Sequence, residues 1–380
     1  MKKKYIIFSI VTLVLLVALI TSFNYFKTTN TYIDDSFNNQ TKITKGISMN
    51  LEQTAGAGDY KTVTRSSWPT EGYNFNAELS RCENGSTLSW DDTKKAVIVS
   101  GNLSDKCYVY FDLARFDETC DGSTLACRIA KQYTGTQGEN SLYYHDSTLT
   151  NGAGDNSYRY AGASNNVNNY ICLGSDATTC PDANLFRIIG VFGDQTKVIR
   201  AKSFGDKEWD TNDSNTWSTS SLNTYLNGEY LTSLGTLADK IATTTWKVGG
   251  GSTTYLYDVP KTAYQYEVGS SASTTTYDAK IGLMYVSDYG FAADQSGWTT
   301  KLSSYNSNKS KNWLNTGKYI EWTLSRNSDN TDNAFGVIST GYVDNYNVTK
   351  SYVVRPSFNL ESSVKYVSGS GSMSGPVRVN

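Results

Sequence analysis

Histidine is nearly missing from this sequence: His145 is the only one in 380 residues. A Ser-His-Asp triad would have to use it, in a Tyr-Tyr-His-Asp context that carries no nucleophile elbow. The residue reads instead as a loop histidine with a hydrogen-bonded ring. Cys-x-x-Cys is also missing, so with one histidine a zinc site is not expected. Charge is scarce, at 18% of residues, and balanced, with 34 basic against 36 acidic side chains. Nucleic acid is thereby excluded as a partner, because phosphate binding needs a net basic surface. No phosphate-binding glycine loop occurs. Gly249, Gly250 and Gly251 follow no strand-to-helix signature and read as a flexible turn. The stretch Asp210-Thr211-Asn212-Asp213-Ser214 lacks both the sixth-position glycine and the closing glutamate of a calcium loop, and reads as a turn. No metal or cofactor is expected. Two acids at the right separation would suffice for glycoside hydrolysis, but no pair stands out.

What is present begins at the first residue. Lys2, Lys3 and Lys4 precede an apolar run over residues 5–20, broken only by Ser9 and Thr12. As a helix, residues 5–23 would be roughly 28 Å long at about 1.5 Å per residue, near the hydrocarbon thickness of about 30 Å. Two readings stand for residues 1–26: a retained signal anchor, or a cleaved secretory signal. No Ala-x-Ala cleavage site follows, and no cysteine is present for lipidation. The expected location is a cell membrane, crossed once, with the C-terminal bulk outside; a cleaved leader would make the protein secreted. The last residues carry no apolar tail, so attachment is expected at the start of the chain. Residues 27–46 are polar and read as a stalk.

The six cysteines are Cys82, Cys107, Cys120, Cys127, Cys172 and Cys180. Six allow fifteen pairings. The simplest joins nearest neighbours: Cys82 with Cys107, Cys120 with Cys127, and Cys172 with Cys180. An oxidising location favours such bridges over metal binding.

Residues 47–114 show short strand-like runs between turn residues, including Ala96-Val97-Ile98-Val99 and Cys107-Tyr108-Val109-Tyr110-Phe111. That pattern predicts an all-β sandwich, stapled by the first bridge because so small a module lacks core. Residues 115–184 read as a connector belonging mostly to the next module. In it Ser123 would cap a helix with Leu125 and Ile129 on one face, and residues 140–169 would be mostly loop. Residues 185–380 form an α+β module. A hairpin is expected over 186–192 and 197–201. Ser220 or Ser221 would cap a helix carrying Leu222, Tyr225 and Leu226 and ending at Gly228. Three antiparallel strands are expected at 321–325, 334–338 and 352–356, with Arg355 at a sheet edge or exit before Pro356. The loop over 308–318 is where function would sit. The Gly/Ser-rich stretch 368–375 should be loose.

Tyrosine numbers 28 and tryptophan 8. Flat rings with neutral hydroxyl and amide groups suit sugars. Trp217, Trp313 and Trp322 read as core. Trp209 and Trp298, among polar neighbours, are the candidate exposed ligand platforms.

One further pattern is carried by Trp217, Ser220, Leu222, Leu226 and Asn227 (offset by one), then Trp322, Leu324, Ser325 and Arg326, then Val354, Arg355 and Pro356. With these motifs residues 185–360 resemble an uncharacterised family of bacterial cell-surface domains. That family is distantly similar to the C-type-lectin-like fold of formylglycine-generating enzymes, which implies short helices beside a twisted antiparallel sheet. The runs Cys82-Glu83-Asn84-Gly85-Ser86 and 107–112 resemble small β domains that precede such units in low-GC Gram-positive bacteria. The formylglycine enzymes use cysteines in their C-terminal part, and here none follows Cys180. The Glu-Pro-Asn, Gln-Pro-Asp and Trp-Asn-Asp motifs of calcium-dependent lectins do not occur.

The expected function is a non-enzymatic, membrane-anchored extracellular surface protein that binds a glycan, a peptide or a neighbouring surface protein. A carboxylate-dependent cell-wall glycoside hydrolase and a purely structural surface protein are the alternatives.

Overall fold

A computed structural model describes residues 46–380, apart from 65, 66, 70, 71, 103 and 318. The expected anchor or signal over 1–26 lies outside the described residues, as does the stalk up to residue 45. No helix among the described residues is long and apolar enough to cross a membrane. The chain divides into two compact units, one ending at Ala114 and one starting at Arg115.

The N-terminal unit is all β. Its strands are β1 (Ile47–Glu52), β2 (Tyr60–Val63), β3 (Tyr73–Cys82), β4 (Thr87–Asp91), β5 (Ala96–Ser100) and β6 (Cys107–Leu113). Four form a sheet in the order β2-β1-β6-β3, in which β1 runs parallel to β6; β4 and β5 make a separate hairpin. In β6 the period-two alternation is plain: Cys107, Val109 and Phe111 are buried while Tyr108 and Tyr110 are partly exposed. The Phe111 ring packs edge-on against Trp90 of the hairpin, with centroids 5.5 Å apart, and against Phe75 at 5.8 Å.

Cys82 and Cys107 face each other across β3 and β6 and are bonded, as nearest-neighbour pairing predicts. The other two bridges, Cys120–Cys127 and Cys172–Cys180, also follow that pairing. Replacing Cys82 and Cys107 together by serine is expected to cost this unit about 2–5 kcal/mol, most of the stability of so small a core. Urea denaturation followed by tryptophan fluorescence should show an early transition in the variant. A single transition at the wild-type midpoint would disprove it.

In the C-terminal unit a single helical turn, Phe116–Thr119, precedes helix α1 (Leu125–Ala130), which is capped by Thr124, not by Ser123; the Thr124 hydroxyl accepts the Cys127 N–H at 3.2 Å. Leu125 and Ile129 do share the buried face. Strands β7 (Leu142–His145) and β8 (Ser157–Tyr160) follow as an antiparallel pair, buried along their whole length. The stretch 140–169 is mostly loop, as expected, but these two strands interrupt it. Next come β9 (Tyr170–Cys172), β10 (Leu185–Phe192), β11 (Gln195–Arg200) and β12 (Gly205–Glu208). The β10–β11 hairpin turns at Gly193, whose φ of 62° suits glycine.

Ser220 caps α2 (Ser221–Tyr225), accepting the Asn223 N–H at 3.1 Å. The helix does not stop at Gly228. It widens into a π-turn over Leu226–Tyr230 and continues over Leu231–Ser233, because Gly228 keeps helical φ and the apolar face continues to Tyr230. Then follow β13 (Thr244–Lys247), α3 (Pro260–Glu267), β14 (Thr276–Ala279) and α4 (Val286–Phe291). Strands β15 (Glu321–Arg326), β16 (Asn333–Val337), β17 (Val343–Asn347), β18 (Ser351–Val354), β19 (Ser357–Leu360), β20 (Tyr366–Ser368) and β21 (Val377–Val379) complete the chain.

The strands form an eight-stranded sheet along β19-β11-β10-β9-β21-β20, with β8 on β10 and β7 on β8, a five-stranded sheet in the order β12-β18-β15-β16-β17, and the pair β13-β14. The three strands expected to be mutually antiparallel are not. β15 and β16 are antiparallel, but β18 runs parallel to β15. The stretch 368–375 is not loose: the Tyr170 N–H donates to the Gly371 carbonyl at 2.8 Å, and the Ser370 N–H to that of Gly375 at 2.9 Å. Gly249–Gly251 is packed as well; a Cβ at Gly250 would collide with the Arg326 carbonyl.

Candidate functional site

One row across the large sheet positions the site. In antiparallel register Arg159 of β8 faces Gly190 of β10, Gly190 faces Lys197 of β11, and Lys197 faces Asn359 of β19. Residues directly opposite one another project on the same face. Gly190 has no side chain, and a Cβ there would strike the Tyr158 carbonyl of β8. The glycine thus admits β8 and leaves room between the Arg159 and Lys197 side chains.

Asp288 of α4 fills that room. Lys197 Nζ is 2.5 Å from Asp288 Oδ2, and Arg159 Nη1 is 3.5 Å from Oδ1. Arg159 Nη2 also bonds Asp155 Oδ2 at 2.6 Å, and its Nε donates to the Ser157 hydroxyl at 2.7 Å. Asp288 caps its own helix, accepting the Tyr285 N–H at 2.9 Å. The next two N–H groups, of Val286 and Ser287, both donate to the Glu267 carboxylate at 2.9 Å. Ser325 Oγ donates to Glu267 as well. Two carboxylates therefore satisfy the orphan donors at the start of α4.

A cavity of about 160 Å³ opens beside these groups. Its walls are the rings of Phe192, Trp246, Tyr264 and Tyr285, and Thr244, Thr245, Lys247 and Asn359 add polar groups. Burial alone pushes the Asp155 carboxyl up, but Arg159, His145 and Ser157 together hold it below the usual carboxylate range. Burial lowers the Lys197 amine against the pull of Asp288. Burial raises Glu267 to about 7. The acids that line the cavity are thus bound to cations, and Glu267 behind them is bound by three donors.

A second, more open depression of about 470 Å³ is lined by Asn306, Lys309, Ser310, Asn315, Thr316 and Gly317, with no ring among them. It overlaps the loop expected to carry function, part of which is 3-10 helix over Leu302–Lys311.

Trp209 and Trp298 are not exposed platforms. Both are 0% exposed. Trp209 Nε1 donates to the Thr323 carbonyl at 3.1 Å and its ring meets Trp217; Trp298 Nε1 donates to the Ala293 carbonyl at 3.0 Å and its ring meets Phe291. Polar sequence neighbours do not keep an indole wet when a backbone carbonyl can take its N–H. Trp217, Trp313 and Trp322 are buried, as expected of core. His145 lies on β7, not in a loop, and its Nδ1 accepts the Ala153 N–H at 3.0 Å. Asp210 forms the expected turn, accepting the Asn212 and Ser214 N–H groups.

The cavity residues were not singled out from the sequence. A signal was present at Asp288, the one charge in the largely apolar stretch 281–293. Among the described residues, no group of three or more His, Cys, Asp or Glu side chains is placed to hold a metal ion.

Residues 193–362 match a domain of unknown function, DUF6273. No curated protein and no solved structure matches the chain. The DUF6273 match includes Lys197, Trp246, Tyr264, Glu267, Tyr285, Asp288 and Asn359. Asp155 and Arg159 precede it, so part of the charged row comes from outside the matched stretch.

Proposed function

We propose that the C-terminal unit is a non-enzymatic binding module for a small neutral polar ligand, a glycan or peptide group, carried on the outer face of a cell membrane by the N-terminal segment. The unit is read as C-type-lectin-like, with short helices beside twisted sheets, and the N-terminal unit as a stapled sandwich that serves as spacer. The observation that carries the reading is the ring-walled cavity whose two lining carboxylates are already bound by Arg159 and Lys197. Its rings offer apolar faces, Thr244, Thr245 and Asn359 offer neutral hydrogen bonds, and neither lining carboxylate has to give up a free charge on binding.

The hydrolase alternative requires a substrate-facing carboxyl that keeps its proton. Asp155 and Asp288 line the cavity but are bound by Arg159 and Lys197. Glu267, with its raised pKa, is spent on Val286, Ser287 and Ser325.

Glycan-array binding by oxidised protein spanning residues 46–380 tests the proposal. Tyr264→Ala removes one partly buried ring from the wall, at the edge of the cluster that holds Phe291, and in protein shown to be folded is expected to weaken a bound glycan about tenfold, or about 1.4 kcal/mol. No array signal from folded protein would defeat the glycan reading. Release of reducing ends from purified cell wall would favour the hydrolase.

A further inference from the structure

Lys197 is enclosed. Its Nζ lies 4.6 Å from the Tyr285 ring centre, 5.4 Å from that of Trp246 and 5.6 Å from that of Phe192. Its side chain is 6% exposed and that of Asp288 is 2%. Since Nζ is 2.5 Å from Oδ2, and a C–O bond adds only about 1.2 Å, Nζ is no more than roughly 3.7 Å from Cγ. That is close to the near-attack separation of about 3–3.5 Å for reacting atoms.

We propose that Lys197 and Asp288 are joined by an intramolecular amide bond, formed by condensation of the Lys197 amine with the Asp288 carboxyl and release of one water.

The step balances without a co-reactant. The ammonium gives one proton to the carboxylate, and the freed amine attacks Cγ. The C–N bond forms, one C–O bond of the carboxyl breaks, and that oxygen leaves as water with two of the three ammonium protons. Nothing is oxidised or reduced.

Each requirement has a residue. The nucleophile must be a neutral amine, and burial already lowers the Lys197 amine. Charge develops on the carboxyl oxygens as the amine adds. The Arg159 guanidinium faces Oδ1 at 3.5 Å, and the Tyr285 N–H donates to Oδ2 at 2.9 Å. The carboxyl must not swing away. Glu267 is the positioning residue here, because it binds the N–H groups of Val286 and Ser287 and so fixes the turn that carries Asp288. The adjoining cavity gives the departing water an exit.

The driving force is burial. Two opposite charges kept out of water carry a desolvation cost that their attraction only partly offsets, and an amide removes both. The contrast with other pairs is direct. Lys202–Asp182, Lys106–Glu83 and Lys95–Asp92 are all exposed, so water stabilises those ions and competes with condensation.

The test is the intact mass of the purified full chain under non-reducing conditions, with peptide mapping. This is independent of ligand binding, so its failure and that of the binding proposal are separate. The expected result is a mass one water below that of the sequence with its three disulfides, and a branched peptide joining Lys197 to Asp288. In Lys197→Arg, whose guanidinium is too weak a nucleophile to condense, the missing water should return. A wild-type chain of full mass with a linear Lys197 peptide would overturn the proposal. So would loss of water that persists in Lys197→Arg.

Discussion

Cutting the Arg355–Glu321 pair from one side is expected to destabilise the C-terminal unit by about 3–5 kcal/mol. Arg355 Nε is 2.7 Å from Glu321 Oε1, and both side chains are shut off from water. The guanidinium also donates to the Leu314 carbonyl at 2.7 Å. Burial pushes the Glu321 carboxyl up, and only Arg355 opposes that rise. Glu321→Leu therefore strands a cation in a low-dielectric interior where no water can reach it. The cost is that of the orphaned charge rather than of the lost attraction. The double variant Glu321→Leu, Arg355→Met leaves no charge behind and should recover most of the loss. Urea midpoints of the two single variants and the double would measure it. Single-variant losses under about 1 kcal/mol would show the pair is more hydrated than its burial implies.

Acid should reveal two buried groups that work against each other. His145 is wholly buried, with its ring against Phe291 and Trp298. Burial, then the nearby Arg159 cation, lowers its pKa from 6.5 to about 3. Unfolded, the imidazole protonates near 6.5, so the unfolded chain binds the extra proton between those values. Its contribution to stability is complete above pH 6.5 and is lost as pH falls toward 3, by about 1.4 kcal/mol per unit. Glu267 does the opposite. Burial raises its pKa from 4.5 to about 7, so its contribution is complete below pH 4.5 and is lost as pH rises through 7, about 3 kcal/mol in all.

From these two groups the wild-type profile should be nearly flat between pH 4.5 and 6.5 and should fall steeply below 4.5. His145→Asn, whose amide oxygen can take the Ala153 N–H, should expose the Glu267 slope. Stability of the variant should then rise by about 3 kcal/mol on going from pH 8 to pH 4.5. Denaturant midpoints across that range decide it. A variant profile parallel to wild type would mean that His145 is not buried neutral.

The same buried groups explain what was hard to read. The β10–β11 hairpin was legible because the largely apolar Leu185–Phe192 and the β-branched Val198-Ile199 lie on either side of the turn residues Gly193 and Asp194. The cap at Ser220 was legible from the spacing of Leu222 and Leu226. The strands Leu142–His145 and Ser157–Tyr160 were not, because their Tyr, His, Ser and Arg side chains look like loop and become core only by pairing with β10. Gly228 was misread as a helix end because glycine ends helices only where the backbone turns left-handed, and there it does not. The direction of β18 relative to β15 depends on the chain between them, which no local pattern encodes.

The amino-acid order by itself determined the all-β character of residues 47–114, the nearest-neighbour cysteine pairs and the principal hairpin. These rest on period-two burial and short loop closure, which act over a few residues. Only the tertiary structure decided that Trp209 and Trp298 are interior, and that Arg159, Lys197 and Asp288 meet. Those three lie far apart in the chain. Their meeting depends on strand register at Gly190 and on the seating of α4, and a buried charge is stable only where distant chain happens to supply its counter-ion.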